Sequence, residues 1–285
     1  AGGRYTLNDI HYVAERDHLV PAAETPFARD AAFGYRSSHL PSYVEEKTDP
    51  EIFREMGAMG LLGSTIPEEY GGEDLDWLSA VIITEEIAKV SSSLRVQVNM
   101  QCIGSAYTIY KYGNENLRKK YIEKLVKAEY LGGFAITEPD AGSDVMSIAS
   151  EAKDMGDHWL LNGSKTWISN ADIADVLIYY AYTDKEKGSK GLSAFVIEPK
   201  NFDGIKTSSL DKLGSHSSPT GELFLDNVKV PKENLVGELN KGWTVAKYLL
   251  QHERNMAASL GRARGDDLGG GRRGGSLGRL LLATP

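Results

Sequence analysis

The chain has 285 residues, enough for one large or two modest domains with a substantial core. Hydrophobic residues make up 41% and charged residues 25%, as in globular proteins, and a net charge of −8 argues against nucleic acid or an anionic membrane as the main partner. A single cysteine, Cys102, excludes an internal disulfide framework and a cysteine-only metal site, and no apolar run reaches the roughly 18 residues needed to cross a bilayer. The expectation is a soluble, cytoplasmic protein with no metal site and no membrane insertion.

Residues 1–48 carry scattered histidine, proline and charge with little periodicity, and are expected to be helical only in part. His11, His18 and His39 show no metal-ligand spacing. Asp49-Pro50-Glu51 reads as a helix start, with proline in the first turn and acid near the positive end of the helix dipole. Ile52, Phe53, Met56, Met59 and Leu62 follow at helical spacing. Ile66 to Gly72 is a loop, and residues 77–90 form a second helix that Ser91-Ser92-Ser93 interrupts. Residues 94–111 and 115–128 are further helical stretches. From 132 the period changes toward two. Apolar runs at 134–136, 159–161, 176–182, 192–197 and 223–225, separated by turn signals, predict strands of a small barrel or sandwich. Asn162-Gly163 reads as a hairpin dipeptide, and Lys187 to Gly191 as another turn. Helical period returns after Pro231 in Trp243, Val245, Ala246, Tyr248, Leu249 and Leu250. Residues 261–285 are rich in glycine and arginine and lack an apolar stripe before Leu280. They read as a shifted reading frame or as a natural flexible tail.

Two features carry chemistry. The run Phe134 to Asp144 sends a short apolar strand into a turn of proline, aspartate, glycine and serine. Such a turn can cradle a phosphate or bond a polar ring edge, or it can simply reverse the chain. Glu138, Asp140 and Asp144 there suit loop capping better than acid–base work. Arg95 is the second. From Leu94 to Tyr110 it is the only formal charge, in a stretch of Val, Met, Ile and Tyr. A cation on a mostly apolar helix must snorkel, pair with Glu85, Glu86 or a neighbouring helix, or meet a ligand carboxylate, for which its planar fork is suited.

Thr137 to Asp144, Leu161 to Asn170 and Asp226 to Asn234, in that order and spacing, resemble the acyl-CoA dehydrogenase family. The resemblance covers residues 50–258, and around Arg95 it is strongest to the glutaryl-CoA members. It implies an α+β fold: an N-terminal helical domain (1–131), a middle small β-barrel domain that binds flavin (132–235) and the start of a C-terminal helical domain (236–260), followed by the unmatched tail 261–285. It implies FAD, contacted by Phe134, Ala135, Ile136, Thr137 and Ser143 and flanked by Trp167, Ile168 and Ser169. Trp167 read alone would be a barrel-core aromatic. The resemblance places Arg95, Val96, Asn99 and Ser143 at the acyl substrate, Arg95 on a distal carboxylate, and Gln251 and Arg254 at the CoA part; a solvated helix charge is the other reading of Arg254. His216 stands where many relatives have arginine, which leaves its role open.

The activity implied is α,β-dehydrogenation of an acyl-CoA, glutaryl-CoA foremost, in fatty acid and amino acid catabolism, with electrons passed to electron-transfer flavoprotein by a homotetramer. No catalytic residue is assigned, because the family's base lies in helices that find no counterpart here. A dehydrogenase for another short or medium acyl-CoA, with Arg95 structural, is the alternative, as is an inactive fragment that binds flavin or partner chains. The missing helices predict exposed apolar surface along residues 242–251.

Overall fold

The computed structural model describes residues 4–7, 10–15, 18–21, 24, 50–215 and 218–268. His39, Asp49, His216 and the tail beyond 268 lie outside these residues, as do the side chains of His11 and His18. The described residues between 4 and 21 depart from the expectation of partial helix. They form a three-stranded antiparallel sheet of β1 (Arg4–Leu7), β2 (Ile10–Glu15) and β3 (His18–Pro21). Tyr5, Thr6, Ile10, Tyr12 and Val13 are β-branched or aromatic, types that favour strands, and that propensity outweighs the weak helical signal.

From residue 50 the chain is helical. α1 (Pro50–Ala58) is followed by α2 (Trp77–Val90), which starts at Asp76, whose carboxylate accepts the Ser79 amide at 2.8 Å. Ser91 ends α2 and caps α3 (Ser92–Asn99), its hydroxyl accepting the Leu94 amide at 3.1 Å. Helix continues without a break through a π-helical stretch, Met100–Tyr107, into α4 (Thr108–Tyr112), and α5 (Glu115–Val126) follows. π-Helix is rare and needs support. Ser105 and Thr108 supply part of it by donating to the carbonyls of Gln101 (2.8 Å) and Ile103 (2.8 Å). Gln101 supplies the rest. Its fully buried amide donates to the carbonyls of Leu125 (2.6 Å) and Tyr130 (2.7 Å) and accepts the Gly132 amide (2.8 Å), tying helix to sheet.

The middle of the chain is one eight-stranded sheet. Its strands are β4 (Gly132–Ala135), β5 (Glu151–Asp154), β6 (His158–Ser169), β7 (Val176–Tyr182), β8 (Leu192–Ile197), β9 (Ile205–Ser209), β10 (Thr220–Pro231) and β11 (Leu235–Val236). The order is β11-β8-β7-β5-β6-β10-β9, with β4 parallel to β7. Four of the five apolar runs fall wholly on strands, and the run at 134–136 passes beyond β4 at Ile136. β5, β9 and β11 carried no such run because they are short or largely exposed. One face of the sheet encloses Trp159, Leu161, Tyr179, Phe195 and Leu223; the other packs Ile178 and Tyr180 on the helices through Ile109, Tyr121 and Leu125. Asn162-Gly163 is not a hairpin turn but the middle of β6. Gly163 sits at φ +147°, where a Cβ would meet the Ser150 hydroxyl oxygen at 2.2 Å, so close approach of two backbones demands glycine there.

α6 (Gly242–Leu268) extends past residue 260, so the backbone of the first tail residues is helical. Its apolar residues between 242 and 251 are buried or half-buried, not exposed as expected. Val245, Ala246, Leu249 and Met256 are buried, while Trp77 of α2 stacks on His252 at 4.0 Å and an interplanar angle of 16°. Burial of a leucine- or methionine-sized side chain contributes about 1.5–3 kcal/mol; Leu249 and Met256 share a core cluster with α2, and Val245 and Ala246 one with β8 and the π-helical stretch.

A buried ion pair holds the turn after β4. Lys165 of β6 is fully buried and donates to Glu138 at 2.7 Å and to the Ile136 carbonyl at 3.0 Å. Glu138 also accepts the amides of Ala149 (2.5 Å) and Ser150 (3.0 Å) and the Ser150 hydroxyl (2.5 Å), and Tyr179 donates to that hydroxyl at 2.9 Å. Burial would raise the Glu138 carboxyl, but Lys165 and these donors outweigh it and hold it below the ordinary glutamate value. Its contribution to stability is therefore present above about pH 4.5 and lost as pH falls through the lowered value. Burial dominates at Lys165 and pulls its ammonium down to about 8 against Glu138. Lys165→Met removes the only cation among the described residues that pairs with this carboxylate. It is expected to lower unfolding free energy by about 3–5 kcal/mol in urea titrations, with Glu138→Gln in the same chain restoring part of the loss.

Candidate functional site

A cavity of about 350 Å³ opens where α3, the turn after β4, the end of β6 and α6 meet. Each wall follows from local structure. On the helical side, Arg95, Val96, Asn99 and Met100 line it, four residues of one helical face. Gly104, one turn on, lets the π-helix approach β4: a Cβ there would stand 2.9 Å from the Phe134 ring, which is pressed toward the cavity. Phe134, Ile136 and Thr137 form the second wall. The Thr137 carbonyl accepts the Thr166 amide at 3.0 Å, so the turn is tied to β6 as well as to Glu138 and Lys165.

Trp167, Ile168 and Ser169 form the third wall. Here β6 carries an extra residue against β10, since Ile168 pairs with Gly221 but Lys165 pairs with Leu223. This is a β-bulge, and such bulges redirect a side chain. Trp167 adopts φ +58°, a conformation that costs a bulky residue roughly 1–3 kcal/mol, and its side chain is 61% exposed. It is not a barrel-core aromatic. The bulge and the strained backbone hold an indole out of the sheet, across the cavity from α3.

The fourth wall is α6, through Leu250, Glu253 and Ala257 at helical spacing. Glu253 is the residue that sequence reasoning missed. The signal was available: positions 250, 253 and 257 share one face, whereas Gln251 and Arg254 are each turned about 100° away and are exposed outside the cavity. Ser143 is likewise exposed outside it, in the turn, and Ala135 is fully buried on the opposite face of β4. The cavity thus gathers Arg95, Val96, Asn99, Phe134, Ile136, Thr137, Trp167, Ile168 and Ser169, but not these four.

The polar groups around the cavity are under-paired. Arg95 does not snorkel to solvent; it is 8% exposed, and its Nε is buried without a hydrogen-bond partner. Glu85 and Glu86 are engaged by Lys89. The Asn99 Oδ1 is also buried without a partner. Burial pulls the Arg95 guanidinium below its ordinary value while Glu253 pulls it back. Glu253 is raised above the usual carboxylate value by burial, against the opposing charges of Arg95 and Arg254. An apolar cleft with an outward indole, two hydroxyls (Thr137 and Ser169), an unpaired cation and a single carboxylate can take a flat ring on one side and an anionic chain on the other.

Comparison with known proteins agrees with this geometry. Residues 31–129 match the N-terminal domain and residues 133–228 the middle domain of acyl-CoA dehydrogenase, while residues 1–59 match a sugar-binding N-terminal domain. The chain is 67% identical over 213 residues to glutaryl-CoA dehydrogenase of Desulfococcus multivorans, covering 74% of this chain and 55% of that protein. A solved glutaryl-coenzyme A dehydrogenase in complex with glutaryl-CoA superposes with a TM-score of 0.74 at 66% identity, over 75% of this chain and 54% of the other. Butyryl-CoA dehydrogenase from Megasphaera elsdenii superposes with a TM-score of 0.73 at 33% identity, over 85% of this chain and 67% of the other. The chain spans just over half the length of the glutaryl-CoA relatives it matches. With both domain models matched in order and the helical and sheet domains in place, the chain belongs to the acyl-CoA dehydrogenase family.

Proposed function

We propose that this chain takes part in FAD-dependent α,β-dehydrogenation of a dicarboxylic acyl-CoA, glutaryl-CoA foremost, with electrons passed to electron-transfer flavoprotein. The observation that carries the reading is Arg95, a buried guanidinium at the cavity wall with an unpartnered Nε. A substrate carboxylate would satisfy it, and a planar fork accepts a carboxylate on two N–H groups.

The residues present fit a flavin. A flat ring needs an apolar face and a few donors, which the Trp167 indole and the Thr137 and Ser169 hydroxyls offer from adjoining walls. Bound there, the flavin supplies the acceptor for the hydride that leaves the β-carbon. The Trp167 indole would pack against the ring, and the bulge fixes its direction before binding, so little ordering entropy would be lost. Arg95 and Asn99 hold the distal end of the chain and set its depth; Asn99, with its amide turned to donate, adds a second bond to the carboxylate. Val96 and Met100 exclude water from the methylenes between. Gln251 and Arg254, exposed outside the cavity, are assigned to the CoA part by the resemblance.

A second reading, dehydrogenation of a neutral short acyl-CoA, is favoured by one observation: Glu253 already places a negative charge on the Arg95 side of the cavity.

Two measurements test the proposal. Arg95→Ala is expected to lower kcat/KM for glutaryl-CoA by about 10- to 100-fold, the equivalent of one charge-assisted hydrogen bond, and to leave butyryl-CoA within about threefold. Equal losses with both thioesters would return Arg95 to a structural role. Trp167→Ala is expected to weaken FAD retention in equilibrium dialysis by about tenfold or more with the far-ultraviolet circular dichroism unchanged. Unaltered FAD binding would remove the indole from the ring site.

A further inference from the structure

We propose that Gln101 is a positioning residue for the ligand carboxylate: its buried amide holds the π-helical register that turns Arg95 and Asn99 toward the cavity. The inference rests on the dicarboxylic reading of Arg95 and names what gives that residue its direction.

The Arg95 Nε and the Asn99 Oδ1 are buried without a hydrogen-bond partner, so no bond at these atoms aims either side chain. Their direction then rests on the phase of α3, which is set by the turns that follow it. Met100–Tyr107 is π-helical, and Met100, its first residue, lines the cavity with Asn99. A π-helical stretch closes its hydrogen bonds over five residues rather than four, so it holds an extra residue. Were it to relax to α-helix, the segments on its two sides would rotate against each other by roughly 100°, the angle of one residue. Gly104 is fixed by its close approach to Phe134 of β4. The rotation would therefore fall on α3 and carry Arg95, Val96 and Asn99 off the cavity.

Gln101 is placed to prevent this. Its side chain is fully buried and donates to the carbonyls of Leu125 in the last turn of α5 (2.6 Å) and of Tyr130 (2.7 Å), while its oxygen accepts the Gly132 amide at the start of β4 (2.8 Å). Bonds to separate segments fix both the rotation of the helix and its distance from the sheet. Glycine at 132 permits that distance: a Cβ there would meet the Ser105 Oγ at 2.1 Å, the same hydroxyl that donates to the Gln101 carbonyl at 2.8 Å. The Gly132 carbonyl is held separately, by the Asn170 Nδ2 at 2.9 Å. Loss of the Gln101 amide thus releases the helix while β4 keeps its tie to the end of β6. The effect is selective. A planar guanidinium binds a carboxylate in one orientation and tolerates little turning of its helix, whereas a neutral chain meets this wall through non-directional apolar contact.

The test is calorimetric titration of the FAD-loaded chain with glutaryl-CoA and butyryl-CoA analogues that carry sulfur in place of the β-methylene, so that no hydride can leave. The unaltered chain is compared with Gln101→Met, Arg95→Ala and the double variant. Gln101→Met removes the amide at similar volume. It is expected to weaken the dicarboxylic probe by about tenfold and the neutral probe by no more than about twofold, with no further loss for the dicarboxylic probe once Arg95 is alanine. Ser105→Ala, a smaller change at the same stretch, is expected to act in the same direction by about threefold. It carries the test if Gln101→Met loses the far-ultraviolet circular dichroism of the unaltered chain. Equal losses with both probes, or a loss that persists in the Arg95→Ala background, reduce Gln101 to a packing role and overturn the inference, with the substrate reading left standing. A dicarboxylic probe indifferent to Arg95→Ala overturns the substrate reading and the inference with it.

Discussion

The fixed point of the molecule is the buried contact between Lys165 and Glu138. Neither charge could be buried alone, and each is satisfied by more than the other: Glu138 by the amides of Ala149 and Ser150, Lys165 by the Ile136 carbonyl. The consequence is geometric. The turn that follows β4 is pinned from below by the ion pair and from the side by the Thr166 amide, so Thr137 faces the cavity from a rigid base. Glu138 thus caps a loop, as its place in the turn suggested. The cation that makes this possible comes from a strand twenty-seven residues away, and only the fold reveals it.

The same economy appears at each wall of the cavity. A bulge in β6 turns Trp167 outward at positive φ, and a glycine in the π-helix lets Phe134 approach. α6 is docked through Leu249, Met256 and the Trp77–His252 stack, which delivers Glu253 to the site. The bulge, the positive φ of Trp167 and the π-helix are departures from regular structure, and each costs free energy that the surrounding packing must offset. The bulge with its positive φ and the π-helix meet at one cleft.

Much of this was legible in the sequence. Helical spacing located α1 to α5 and the early part of α6, and period-two runs located the strands with an apolar face. Arg95 stood out because a cation on an apolar helix demands a partner. What was not legible has physical reasons. The π-helix follows from tertiary bonds made by Gln101, Ser105 and Thr108, which leave no periodic trace. The Asn162-Gly163 pair has hairpin composition, but its glycine answers to Ser150 on a neighbouring segment. Strand propensity in residues 4–21 was masked by histidines and charge. Glu253 was passed over for its neighbour Arg254, although a rotation of one residue separates the cavity face of α6 from its exposed face.

The proposed function requires a flat cofactor ring against Trp167 and a ligand carboxylate on Arg95, in the same cleft at the same time. A crystal structure of the chain with FAD and the sulfur-substituted glutaryl-CoA analogue tests it most directly. The expected result is the ring beside Trp167, which keeps its positive φ, and the distal carboxylate bonded to the Arg95 guanidinium, with Nε no longer orphaned. A carboxylate directed to solvent, with Arg95 closed instead onto Glu253, would contradict it.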